Sequence, residues 1–130
     1  RVLKNHYGKK EIRPEEMAKV YNASKIVVDM HGCYGIEKEI FNVSPRVFEV
    51  PACGGFLLTN PASMIGDLYA VGEEMVVYRD LKDLKDLIRH YLDRPRERQA
   101  LAQKAYERAH REHTYARRCD ELLKIAKGAA

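Results

Sequence analysis

At 130 residues the chain has the size of one domain with its own hydrophobic core, and residues 1–130 read as a single unit. Its 23 Lys and Arg against 19 Asp and Glu leave a net charge of +4 with both signs interleaved, which favours a solvated helical surface over a nucleic-acid face. No apolar run approaches the roughly 18 residues of a membrane span or forms a secretory leader, and three scattered cysteines, Cys33, Cys53 and Cys119, exclude a disulfide framework and a zinc knuckle and fit a reducing cytoplasm.

The chain opens on Arg1 rather than Met, as a piece of a longer protein would. Val2 and Leu3 suggest a short strand ending before Gly8. Pro14 then takes the first position of a helix, with Glu15 and Glu16 in its first turn and Met17, Val20 and Tyr21 on one face. The run KIVVDM is short, apolar and β-branched, so it predicts a strand covered on both faces. From His31 to Val43 glycines, charges and aromatics mix without a period, as in a loop at the carboxyl end of that strand, where open α/β sheets bind ligands.

Ser44-Pro45 supplies a helix cap followed by proline at the first helical position, and Gly54 supplies the stop. FLLTN reads as another buried strand. Residues 60–73 predict a loop with a short helix, EMVVYRD a further strand, and LKDLKDLIRHYLDRP an amphipathic helix with Leu81, Leu84, Leu87, Ile88, Tyr91 and Leu92 at helical spacing. Pro95 ends that element and starts a second helix with an apolar seam of Leu101, Ala105 and Ala109. Thr114 caps a last helix carrying Cys119, Leu122, Leu123 and Ala126. Alternating strands and helices with a helical tail predict an α/β, Rossmann-like, doubly wound parallel sheet.

The chemistry concentrates in SPRVFEVPACGGFLLTN. A helix capped by Ser44 turns free N–H groups and the positive end of its dipole toward the strand ends, which suits an anion, and Arg46 in the first turn adds a planar donor set suited to phosphate. Glu49 follows one turn later. An ionised carboxylate only accepts, so two vicinal hydroxyls can both donate to it, and the pair would hold a phosphorylated sugar by both ends. The alternative on the same residues is a surface pair between Glu49 and Arg46, contributing at most about 0.5 kcal/mol.

The run RVFEVPACGGFLLTN, preceded by YNASKIVVDMHG and followed by the segment from GEEMVVYRD to HTYARR, resembles the C-terminal part of CgeB-like, spore-maturation-type glycosyltransferases of the group 1, GT-B superfamily. The resemblance runs from about Pro14 onward. It implies a nucleotide-sugar-binding half, with a nucleoside-diphosphate sugar as substrate and no cofactor, facing a missing N-terminal GT-B domain. It also implies a Glu-x7-Glu pattern in which Glu49 matches the ribose-binding second Glu. The first Glu falls on Phe41, which puts the sugar-side contact in doubt; Glu37 or Glu39 could replace it only in a differently arranged loop. Pro51 inside the helix removes a backbone N–H and predicts a shortened or kinked element.

In the strand order 3-2-1-4-5-6 the Val2 strand would be the outer third strand, separated from the Ile26 strand by two missing ones, so direct pairing of these two or self-association through an exposed sheet edge is expected. The piece alone is not expected to turn over substrate. Two other readings stand beside the donor-binding one: a catalytically silent interaction module, which Phe41 favours, and a basic nucleic-acid-binding α/β domain.

Among the remaining candidates, His31 at the strand end is placed to donate to a phosphate or sugar, or to make a structural hydrogen bond. His110 and His113 in HREH lack a third ligand at metal spacing, so no metal site is expected. No G-x-G-x-x-G or Walker A string occurs. Cys33 and Cys53 lie near the expected site without a paired base, which leaves neither as a nucleophile.

Overall fold

The computed structural model describes residues 13–30 and 43–128. The expected Val2 strand and the loop carrying His31, Cys33, Glu37, Glu39 and Phe41 lie outside the described residues.

The first helix, α1, spans Pro14–Ala23 with proline at its start and Glu15 and Glu16 opposing the positive end of its dipole. Met17 and Tyr21 face the core as expected, whereas Val20 is 37% exposed and lies off the buried stripe. Three strands follow among the described residues: β1 over Val27–Asp29, β2 over Leu57–Thr59 and β3 over Val76–Val77. They pair in parallel in the order β1-β2-β3, with Val28 opposite Leu58 and Leu58 opposite Val76. Three neighbours in chain order are what one half of a doubly wound sheet has.

The central strand β2 is wholly buried, and its side chains alternate between two core clusters. Leu57 joins Tyr21, Val47, Val50 and Met75 on one face; Phe56 and Leu58 join Val76, Leu84, Tyr91 and Leu101 on the other. This period of two explains the unbroken apolar run FLL, since a strand buried on both faces has no side left for polar residues. The outer strand β1 departs from its expected double burial. Asp29 is buried, but Val28 is 36% exposed.

Between β1 and β2 lies α2, Arg46–Ala52, whose Val47, Val50 and Pro51 are buried. It is a seven-residue element, as Pro51 predicts. Its end is a Schellman turn: Gly54 adopts φ +75° and donates to Pro51 O, while the Gly55 N–H donates to Val50 O. The short α3, Ile65–Leu68, leads to β3.

The amphipathic α4, Leu81–Asp93, is capped by Asp80, whose carboxylate accepts from the N–H groups of Lys82 and Asp83. It buries Leu84 and Tyr91, while Leu81 and Leu92 at its ends are exposed. Pro95 restarts the chain as α5, Pro95–Glu112. The seam of Leu101, Ala105 and Ala109, joined by Ala102, is buried, and small residues there let α5 lie close against α2 and α4. The last helix, α6, spans Tyr115–Gly128 after Thr114, whose hydroxyl accepts from the Arg117 N–H. It buries no residue; Tyr115, Leu122, Leu123 and Ile125 are all exposed. Among the described residues no helix is long and apolar enough to cross a membrane.

Tyr69 is fully buried, and among the described residues its hydroxyl has no hydrogen-bond partner. Burial, and then the charge of Glu74, hold its phenol well above the usual tyrosine range, and Tyr21 and Tyr91 shift the same way. A folded pKa above the unfolded value near 10 gives stability that is intact below pH ~10 and is lost as pH rises beyond it. Urea denaturation is therefore expected to show stability falling above pH ~10, and Tyr69→Phe should be near neutral at pH 7 while flattening that fall.

Candidate functional site

The first turn of α2 meets the carboxyl end of β1. Ser44 is buried, its hydroxyl accepts from the Arg46 N–H at 3.2 Å, and its carbonyl accepts from the Val47 N–H. The regular helix begins at Arg46, one residue later than expected, but Pro45 already has helical torsions and Ser44 performs the capping.

Because Val47 and Val50 are drawn into the core, the 3.6-residue period turns Arg46 and Glu49 outward together. They do not pair with each other. The Arg46 guanidinium donates to Asp29 Oδ1 at 3.0 Å and lies within 3.4 Å of the Ser44 hydroxyl. Asp29 is buried and Arg46 is 52% exposed, so one edge of the guanidinium is anchored and the rest faces solvent. Among the described residues the second oxygen of Asp29 has no hydrogen-bond partner. Glu49 instead accepts from the Tyr21 hydroxyl at 3.3 Å, across the α1–α2 contact.

Glu49 stands on a ridge between two clefts. One, of about 450 Å³, lies between α1 and α2 and is lined by Met17, Ala18, Tyr21, Pro45, Arg46 and Cys53 in addition to Glu49. The other, of about 560 Å³, is mainly apolar and runs from Val43 and Phe48 to His113 and Tyr115. The first combines a carboxylate, a half-free guanidinium and an apolar wall, which can accept hydroxyl hydrogens, oppose an anion and shield an uncharged ring. Cys53 sits there with its thiol pushed up, first by burial and then by the charge of Glu49, so it is held in its weakly nucleophilic form.

Of the expected site residues, Ser44, Arg46 and Glu49 converge at one end of α2; His31 and Phe41 lie outside the described residues. His110 and His113 serve the packing. The Nε2–H of His110 donates to Ala52 O and that of His113 to Leu68 O, and the His113 ring lies edge-on to Phe48. Asp29 and Tyr21 carry site contacts that sequence reading missed. Asp29 had a signal, since a carboxylate closing the apolar run KIVVD raises the question that Glu49 raises in its own run. Tyr21 had none beyond its place on the apolar face of α1.

Two substitutions probe this geometry. Removing the Glu49 charge with Glu49→Gln should lower the Cys53 pKa, so iodoacetamide should alkylate Cys53 faster at pH 8 than in the wild type, as read by peptide mass spectrometry. Arg46→Ala leaves Asp29 buried without its counter-charge and should cost about 2 kcal/mol in chemical denaturation, less than the ~3–5 kcal/mol of a wholly buried pair because water reaches the exposed guanidinium. The double variant Arg46→Ala/Asp29→Asn should recover part of that loss.

A family model described as glycosyl transferase-like matches residues 2–124. No curated protein and no solved structure shows a significant match to the chain.

Proposed function

The chain belongs to the glycosyl transferase-like family, and from that premise we propose that it is the donor-binding part of an enzyme moving a sugar from a nucleoside diphosphate to an acceptor. The observation that carries this reading is the placement of Glu49. It projects from the first turns of α2 into a cleft beside Arg46, near the carboxyl end of a parallel sheet. Ligands of open α/β sheets lie at such ends.

In this reading the Glu49 carboxylate accepts from the two vicinal hydroxyls of the nucleotide ribose. The solvent-facing edge of Arg46 opposes the diphosphate, and Asp29 holds that guanidinium in place. Ser44 acts through the backbone: its buried hydroxyl fixes the start of α2 and hence the direction in which Arg46 leaves it. As the bond to the sugar breaks, negative charge gathers on the leaving diphosphate. A guanidinium already oriented by its neighbours stabilises that charge without reorganising. CgeB-like membership within the family is part of the same proposal and is supported by RVFEVPACGGFLLTN.

Calorimetric titration with UDP and GDP tests the donor reading. One of the two should bind wild type, and Glu49→Ala should weaken that binding by about 1.5–3 kcal/mol, the scale of hydrogen bonds to a charged group. The 2′-deoxynucleotide should bind wild type more weakly than the ribonucleotide, and Glu49→Ala should erase the difference. Absence of any binding by folded wild-type protein would sink the reading and favour a catalytically silent interaction module.

A further inference from the structure

An exposed glutamate is a poor fixed acceptor. Its three side-chain torsions must be frozen before it can hold a diol in one geometry, and ordering such a side chain costs conformational entropy. Glu49 is exposed, and it has this problem unless something holds it.

The residue that meets it is Tyr21. Its ring is 6% exposed and packs among Val47, Val50 and Leu57, so the core fixes where its hydroxyl points. That hydroxyl donates to Glu49 Oε2, and among the described residues no other donor reaches the carboxylate. One hydrogen bond on Oε2 leaves Oε1 and the remaining lone pairs of Oε2 for a ligand. We propose that Tyr21 is a positioning residue: its core-anchored hydroxyl selects the Glu49 rotamer that presents the free carboxylate edge to a vicinal diol. This rests on Glu49 being the ribose acceptor. Burial, and then the charge of Glu49, push the Tyr21 phenol above its ordinary range, so it is a donor at neutral pH.

The arrangement assigns the two partners different tasks. α1 supplies the fixed post and α2 the movable acceptor, so the acceptor geometry depends on how these two helices pack. Cys53, four residues after Glu49 and on the same cleft wall, has no donor strong enough to replace the phenol.

The test is a double-mutant cycle on the 130-residue chain, read with the nucleotide that binds wild type. Tyr21→Phe keeps the ring and its packing and removes only the hydroxyl. It should weaken the ribonucleotide about three- to tenfold, the scale of one hydrogen bond, and reduce discrimination against the 2′-deoxynucleotide. In the Glu49→Ala background the same change should weaken binding no further. Equal affinity of Tyr21→Phe and wild type, or the same weakening in the Glu49→Ala background, would overturn the positioning role while leaving the donor reading standing. Failure of wild type to bind any nucleotide overturns both. A ligand-free measurement decides independently: three-bond couplings across χ1 of Glu49 should report one rotamer in wild type and averaging in Tyr21→Phe. Averaging already present in wild type would overturn the proposal.

Discussion

The closure of α2 onto its own strand governs the geometry of the whole site. Gly55 lies so close beneath the helix that a Cβ there would come within 2.8 Å of Val50 Cγ1 and 3.2 Å of Val50 O. That approach, together with the left-handed Gly54, reverses the chain within two residues and lets β2 start at once under the helix it follows. A larger residue at Gly55 would press on Val50 and push α2 away from the sheet, whereas at Gly54 a Cβ meets open space and the cost lies in the left-handed backbone. With α2 seated, Val47 and Val50 have one place to go, and Arg46 and Glu49 inherit the outer face by helical period alone.

The pairing of charges follows from that seating. At i and i+3 Arg46 and Glu49 are neighbours on one helix and a surface pair between them is the ordinary expectation. It loses to Asp29 because a buried carboxylate without a counter-charge costs several kcal/mol, whereas an exposed helix pair contributes a few tenths. Arg46 therefore turns toward the end of β1, and Glu49 is left to the Tyr21 phenol. The result is a carboxylate free of its nearest cation, which is what an acceptor for hydroxyls requires.

The helices beyond the sheet divide their work unequally. α5 crosses from one core cluster to the other through Leu101, Ala102 and Ala105, joining the two faces that β2 separates. Its last residues send His110 and His113 back to carbonyls at the ends of α2 and α3, so the HREH string braces the wall of the apolar cleft beside Glu49. A pair of histidines at helical spacing thus has its Nε2 atoms committed to backbone oxygens. α6 contributes no buried residue but is tied to this framework through Arg118, whose guanidinium donates to His113 Nδ1 at 3.3 Å.

What the sequence determined by itself is what local chemistry and period dictate. Pro14, Pro95 and Thr114 mark helix starts because each restricts the backbone or caps it within a few residues. FLL marks the central strand because a strand buried on both faces must be apolar throughout, and Gly54 marks the turn because positive φ excludes most other residues. The outward position of Glu49 was legible for the same reason. The identity of its partner was not: Tyr21 lies 28 residues away and Asp29 lies 17 from Arg46, and neither spacing is set by any local rule. Nor could the sequence show that Val28 and Val20 would stay exposed, since exposure depends on which element covers a face. Those outcomes belong to the tertiary structure, where the cost of an unpaired buried charge and the direction of a core-locked ring are decided by neighbours distant in the chain.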